Sequence, residues 1–272
     1  MYEPDMMLPT LSDCMPVLSA ALSSVAIDAG CTLLWTLVHG GCAVSSDEAT
    51  LLIEVSQVFT HQMAYCTDFQ LLMPLIAFPS NDITRTALTK LLEAIIATQS
   101  TSSKVHIFKE VSLHHLFHGA EKADVQLLEP NNPFESIRLA TFPILRQNLI
   151  SDTSLLTSTT FEILAPILYT LPSDEPVLDL SLEELVSTMY PSWFTECANL
   201  LWFLYDLDKD NQTGLRDQAV LARIRGEWLD PLVGRVGEWT EEVDSEGGNA
   251  RVMFVVQRLQ DALERASQVI VR

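Results

Sequence analysis

Leu200-Leu201-Trp202-Phe203-Leu204-Tyr205-Asp206-Leu207-Asp208-Lys209-Asp210-Asn211-Gln212-Thr213-Gly214-Leu215-Arg216-Asp217 is an apolar run that ends in a cluster of Asp, Asn, Thr and Gly. It has the outline of a calcium loop. Counted from Asp206, carboxylates fall at the first, third and fifth positions, but the sixth is Asn211 where such a loop turns on Gly. The twelfth is Asp217 in place of a bidentate Glu, and Thr213 replaces the usual apolar eighth residue. The other reading is a helix stop. Side chains that compete for the backbone end an apolar helix, Gly214 supplies a left-handed φ, Asn211 tolerates one, and Asp217 opens the next helix. The helix stop is the reading adopted, with calcium binding through Asp206–Asp217 as the remote alternative.

Working outward, helical periodicity recurs almost everywhere and strand alternation is nearly absent. Residues 83–97 place Ile83, Ala87, Leu91, Ala94 and Ile95 at three- and four-residue spacing, and 154–170, 216–240 and 249–270 carry similar stripes. Ser45 with Glu48 and Ser181 with Glu184 have capping-box spacing, opening helices at 46–65 and 182–206. Loops fall at 99–103, 119–124, 129–133, 172–180, 208–214 and 244–249. Asp82-Ile83-Thr84-Arg85-Thr86-Ala87 is echoed ~53 residues later by Glu135-Ser136-Ile137-Arg138-Leu139-Ala140. An acid at the positive helix end and an arginine able to meet the next repeat are features of HEAT repeats. The spacing exceeds the roughly 40–47 residues of such repeats, so an insertion near 100–130 is required. The expectation is an all-α chain, a HEAT/armadillo-like α-solenoid of stacked antiparallel helix pairs, about ten to twelve helices in all. Residues 1–128 form N-terminal repeats and 129–272 C-terminal repeats.

Composition narrows the function. The 272 residues are 48% apolar, ample for a continuous core, and carry 16 Lys plus Arg against 36 Asp plus Glu, a formal charge of −20. No Lys or Arg precedes Arg85. Phosphate binding needs clustered cations, so a nucleic-acid platform is not expected and basic partner surfaces are favoured. The apolar residues 14–44 are interrupted by Asp28 and Gly30 and lack flanking cations, which points to a buried helix pair and not a membrane span or secretory signal. The expected compartment is cytoplasmic or nuclear. Cys14, Cys31, Cys42, Cys66 and Cys197 contain no C-x-x-C pair and are read as buried thiols.

Catalytic signatures are missing. His114 and His118 share a helix face beside His115, but the acid of H-E-x-x-H is absent. No nucleophile elbow, Walker loop or dinucleotide fingerprint occurs. The tryptophans and phenylalanines have apolar neighbours, as core residues do. No enzyme, cofactor or metal is expected.

Two segments carry a resemblance. Asn132-Pro133-Phe134-Glu135-Ser136-Ile137-Arg138-Leu139-Ala140-Thr141-Phe142-Pro143-Ile144-Leu145-Arg146-Gln147-Asn148-Leu149-Ile150 resembles a segment of the glomulin-like family, in which Pro-aromatic, hydrophobic-Arg and Leu-basic elements follow one another. Asp208–Asp217, followed by Trp228-Leu229-Asp230-Pro231-Leu232, is similar to the C-terminal part of the same family. That family comprises glomulin, the plant lateral-root-formation homologue and the fungal YAP-binding and kinetochore proteins. The likeness spans roughly residues 80–265 and corresponds to the C-terminal half of the longer family chains. Pro143 and Arg216 depart from it, standing where the family has a small residue and an aromatic.

The resemblance implies a non-enzymatic adaptor binding one of three protein partners. These are a basic-zipper transcription factor of the oxidative-stress response, favoured here, the RING subunit of a cullin ubiquitin ligase, or a kinetochore component. Nine of the 16 basic residues lie after position 200, near Trp228 and Trp239, so Arg216, Arg223, Trp228, Arg251 and Arg258 are the expected partner-binding residues. A purified chain should give a far-ultraviolet circular dichroism spectrum dominated by helix; a strand-rich spectrum would contradict the periodicity argument.

Overall fold

The computed structural model describes residues 82–112, 133–171, 177–246 and 250–271. The helix at 46–65 with its Ser45–Glu48 cap, the apolar stretch 14–44, four of the cysteines, the three clustered histidines and the boundary at 128/129 lie outside them. The chain divides into two compact units, Met1–Val125 and Gln126–Arg272. Among the described residues every regular element is helical, so the all-α expectation holds there.

In the first unit, α1 (Asp82–Ala97) is followed by α2 (Thr101–Ser112). The connector is shorter than expected because Ser100 already caps α2. Its Oγ accepts the Ser103 N–H at 3.3 Å and its carbonyl accepts Lys104 N–H at 2.9 Å. Leu91, Leu92, Ile95 and Ile96 on α1, and Val105, Ile107 and Phe108 on α2, are buried.

The second unit holds α3 (Pro133–Ser151), α4 (Ser158–Leu168), α5 (Leu182–Ser187), α6 (Tyr190–Leu207), α7 (Gln218–Ile224), α8 (Asp230–Glu246) and α9 (Ala250–Val271). The stripe at 154–170 does not form one helix. Asp152 caps a short 3₁₀ turn at Thr153–Leu155, and α4 restarts where Thr157 Oγ1 accepts the Thr160 N–H at 3.2 Å. The Ser181–Glu184 capping box is present, with Ser181 N–H donating to Glu184 Oε2 at 2.8 Å and Glu184 N–H to Ser181 Oγ at 3.3 Å. Those bonds from the Ser181 side chain and backbone hold the Glu184 carboxyl below its usual range. The single helix expected at 182–206 is broken, however. Pro191 has no N–H for the Ser187 carbonyl and its ring would clash there, so Thr188 turns extended and α6 begins afresh with proline in its first turn.

A further departure lies at 216–240. Between α7 and α8, residues Arg225–Leu229 widen into a π turn, and Asp230 N–H reaches Arg225 O, five residues back. Pro231 follows immediately and cannot complete a normal turn, which accounts for the widening at this point. The turn sets Trp228 and Leu229 inward, at 0% and 1% exposure. α8 then continues to Glu246, beyond the expected loop start at 244.

α6 is the centre of the unit. Cys197, Ala198, Leu200 and Leu201 are wholly buried, and the most extensive helix packing is with α9, where Leu259, Ala262 and Ala266 are equally inaccessible. Alanines at i and i+4 allow close approach of the two backbones. On α3, Phe142 meets Trp193 edge-on at 5.0 Å, and Arg146 Nη1 bonds Glu196 Oε2 at 2.9 Å. Arg258 Nη2 lies 3.4 Å from Glu196 Oε1, and Arg265 donates to Asn199 at 3.0 Å. The paired positions advance together along each pair of helices, so α3, α6 and α9 run in the same sense. α8 packs on α9 as its antiparallel neighbour, Thr240 and Gln260 lying 3.5 Å apart.

Tyr169 and Trp228 meet edge-on at 5.5 Å, and neither Tyr169 Oη nor Trp228 Nε1 makes a hydrogen bond within the protein. Burial, with Cys197 adding to it, pushes the Tyr169 hydroxyl well above the ordinary tyrosine range. The unfolded chain therefore loses this proton near pH 10 while the folded chain keeps it. The resulting contribution is intact below about pH 10 and declines as pH rises above it. Tyr169→Phe should leave the neutral-pH melting temperature unchanged or higher and reduce the alkaline decline; thermal melts from pH 7 to 11 measure both. Trp228→Ala should cost about 3–5 kcal/mol in denaturant titration.

Candidate interaction surface

The Asp206–Asp217 segment closes on itself. Asp208 is buried and its carboxylate accepts three bonds from its own loop: Gln212 N–H at 2.8 Å, Thr213 N–H at 2.8 Å and Thr213 Oγ1–H at 2.5 Å. Asn211 and Gly214 take positive φ, 55° and 71°, as the helix-stop reading expects. Asp217 stands at the N-cap position of α7 but makes no capping bond there; it accepts Asn211 Nδ2–H at 2.8 Å instead. Asp206 and Asp210 are exposed. The chemistry is thus a helix terminus rebuilt from side chains, with the central carboxylate committed to backbone amides.

Arg216 completes that terminus. Its Nη2 donates to Tyr205 O at 2.5 Å and its Nε to Asp208 O at 3.1 Å, while its guanidinium lies 3.9 Å over the Tyr205 ring. It satisfies Tyr205 O, left open at the end of α6, and shares Asp208 O with the Asn211 N–H, which donates to it at 3.3 Å. This residue, expected at a partner surface, is engaged with its own chain.

The other expected contact residues scatter. Trp228 is fully buried and presents nothing to a partner. Arg223 is exposed on α7; Arg251 and Arg258 are exposed two turns apart on α9, Arg258 bound to Glu196. Trp239 is also internal: its Nε1–H and Arg235 Nη2 both donate to Leu180 O, at 3.0 and 2.7 Å, fastening α8 to the segment that leads into α5. Cys197 is the buried thiol expected.

What the expected set lacks is the exposed apolar surface. Phe254 is 67% exposed and Met253 48%, adjacent on α9; Ile150 on α3, Trp202 on α6 and Val233 on α8 are also open to solvent. One signal for Phe254 was present in the sequence. The buried α9 positions Val256, Leu259, Leu263 and Ala266 share one stripe, and Phe254 stands out of phase with it.

No family model, curated protein or solved structure matches this chain. Among the described residues no helix is long and apolar enough to cross a membrane.

Asp208→Asn should destabilise the chain by about 1–3 kcal/mol, because a buried set of charge-assisted bonds is weakened. Asp206→Asn and Asp210→Asn, at exposed positions, should each stay within about 0.5 kcal/mol of wild type by urea titration. A calcium loop would reverse the pattern, with all three changes lowering a calcium-dependent melting temperature.

Proposed function

We propose that this chain is a non-enzymatic helical-repeat adaptor, an α-solenoid of HEAT/armadillo type related to the C-terminal half of the glomulin and YAP-binding family, which binds and regulates a protein partner. The observation that carries the adaptor reading is the Met253–Phe254 pair held out of the core of α9 with Arg258 one turn away. A large aromatic beside arginine on a rigid helix is the composition of binding hot spots. The solenoid reading draws support from α1, α3, α6 and α9, which begin at Asp82, Pro133, Tyr190 and Ala250 at intervals of about 50–60 residues. The last three run in the same sense with shorter helices between them, as the corresponding helices of successive repeats do.

The family reading rests on the segments Asn132–Ile150 and Asp208–Asp217. Structurally these contain most of α3 and the whole α6 terminus. Of the partners the resemblance implies, the basic-zipper stress transcription factor leads, with the RING subunit of a cullin ligase and a kinetochore component as the alternatives. The setting is cytoplasmic or nuclear.

Cross-linking of the intact chain to partners captured from cell extract, followed by mass spectrometry, separates the three candidates. Arg223→Glu and Arg251→Glu should weaken capture with the melting temperature nearly unchanged. Arg258→Glu is a poorer probe because it sets a carboxylate against Glu196, so Arg258→Gln serves in its place. If all three variants capture the partner as wild type does, the partner-binding site is not on α7 and α9.

A further inference from the structure

We draw no further inference here: the strongest candidate, the outward face of α9 around the exposed Phe254, carries Arg258 and Arg265 alongside Asp261 and Glu264 and so has no charge of one sign to select an occupant, and nothing in the structure shows what covers it.

Discussion

The second unit is organised by the need to remove one helix from water on nearly every side. α6 buries Tyr190, Trp193, Phe194, Cys197, Ala198, Leu200, Leu201 and Leu204 on nearly half of its circumference, and along Tyr190–Leu207 only Trp202 and Asp206 are exposed. A helix apolar over so wide an arc cannot be covered by a single neighbour. α3, α5 and α9 all pack on it, and α8 closes over α9 in turn. At about 1.5–3 kcal/mol for each large side chain taken from water, this burial exceeds any polar contribution in the unit. The polar contacts distribute around it accordingly. Glu196 joins the arginines of two flanking helices at the margin of the buried arc, and Arg216 with Asp208 seals the end.

Among the described residues four buried side-chain polar atoms lack a hydrogen-bond partner, and the same scale explains the two that belong to aromatic rings. Tyr169 Oη and Trp228 Nε1 are each buried without a partner in the protein, which costs about 1–3 kcal/mol apiece. Burying an indole or phenol removes about 150–250 Å² from water, about 4–6 kcal/mol at 25 cal/mol per Å². Ring burial therefore outweighs the orphaned heteroatoms. The π turn that places Trp228 is favoured locally as well, since Pro231 forbids the regular alternative.

Periodicity and capping chemistry in the sequence were sufficient to place α1, α9, the α5 cap and the stop after α6, because each depends on interactions a few residues apart. The break before α6 was legible only in retrospect. Pro191 sits within an apolar run whose period suits one long helix, and the steric effect of a single ring outweighs that pattern. The roles of Arg216 and Trp228 were not legible at all. Counting arginines and aromatics marks a region rich in anchors without distinguishing those that hold the protein together from those it presents outward. Arg216 differs from Arg258 through what lies opposite: carbonyls of its own helix end in one case, a flanking carboxylate and solvent in the other.

α9 shows how far that distinction can be taken from sequence. Its apolar residues fall into two sets, an in-phase stripe at Val256, Leu259, Leu263 and Ala266 and an out-of-phase pair at Met253 and Phe254. Phase with the dominant stripe separates core from surface here, where hydrophobicity alone does not. Isolated exposed apolar residues are ordinary on any protein. Met253 lies seven residues before Gln260 and so on the α8 side, whereas Phe254 lies seven residues before Asp261 on the outward face. The charge around Phe254 is mixed, Arg258 and Arg265 flanking Asp261, so neither hydrophobicity nor the net charge of the chain describes what this face presents, since long-range fields are screened and the local pattern decides.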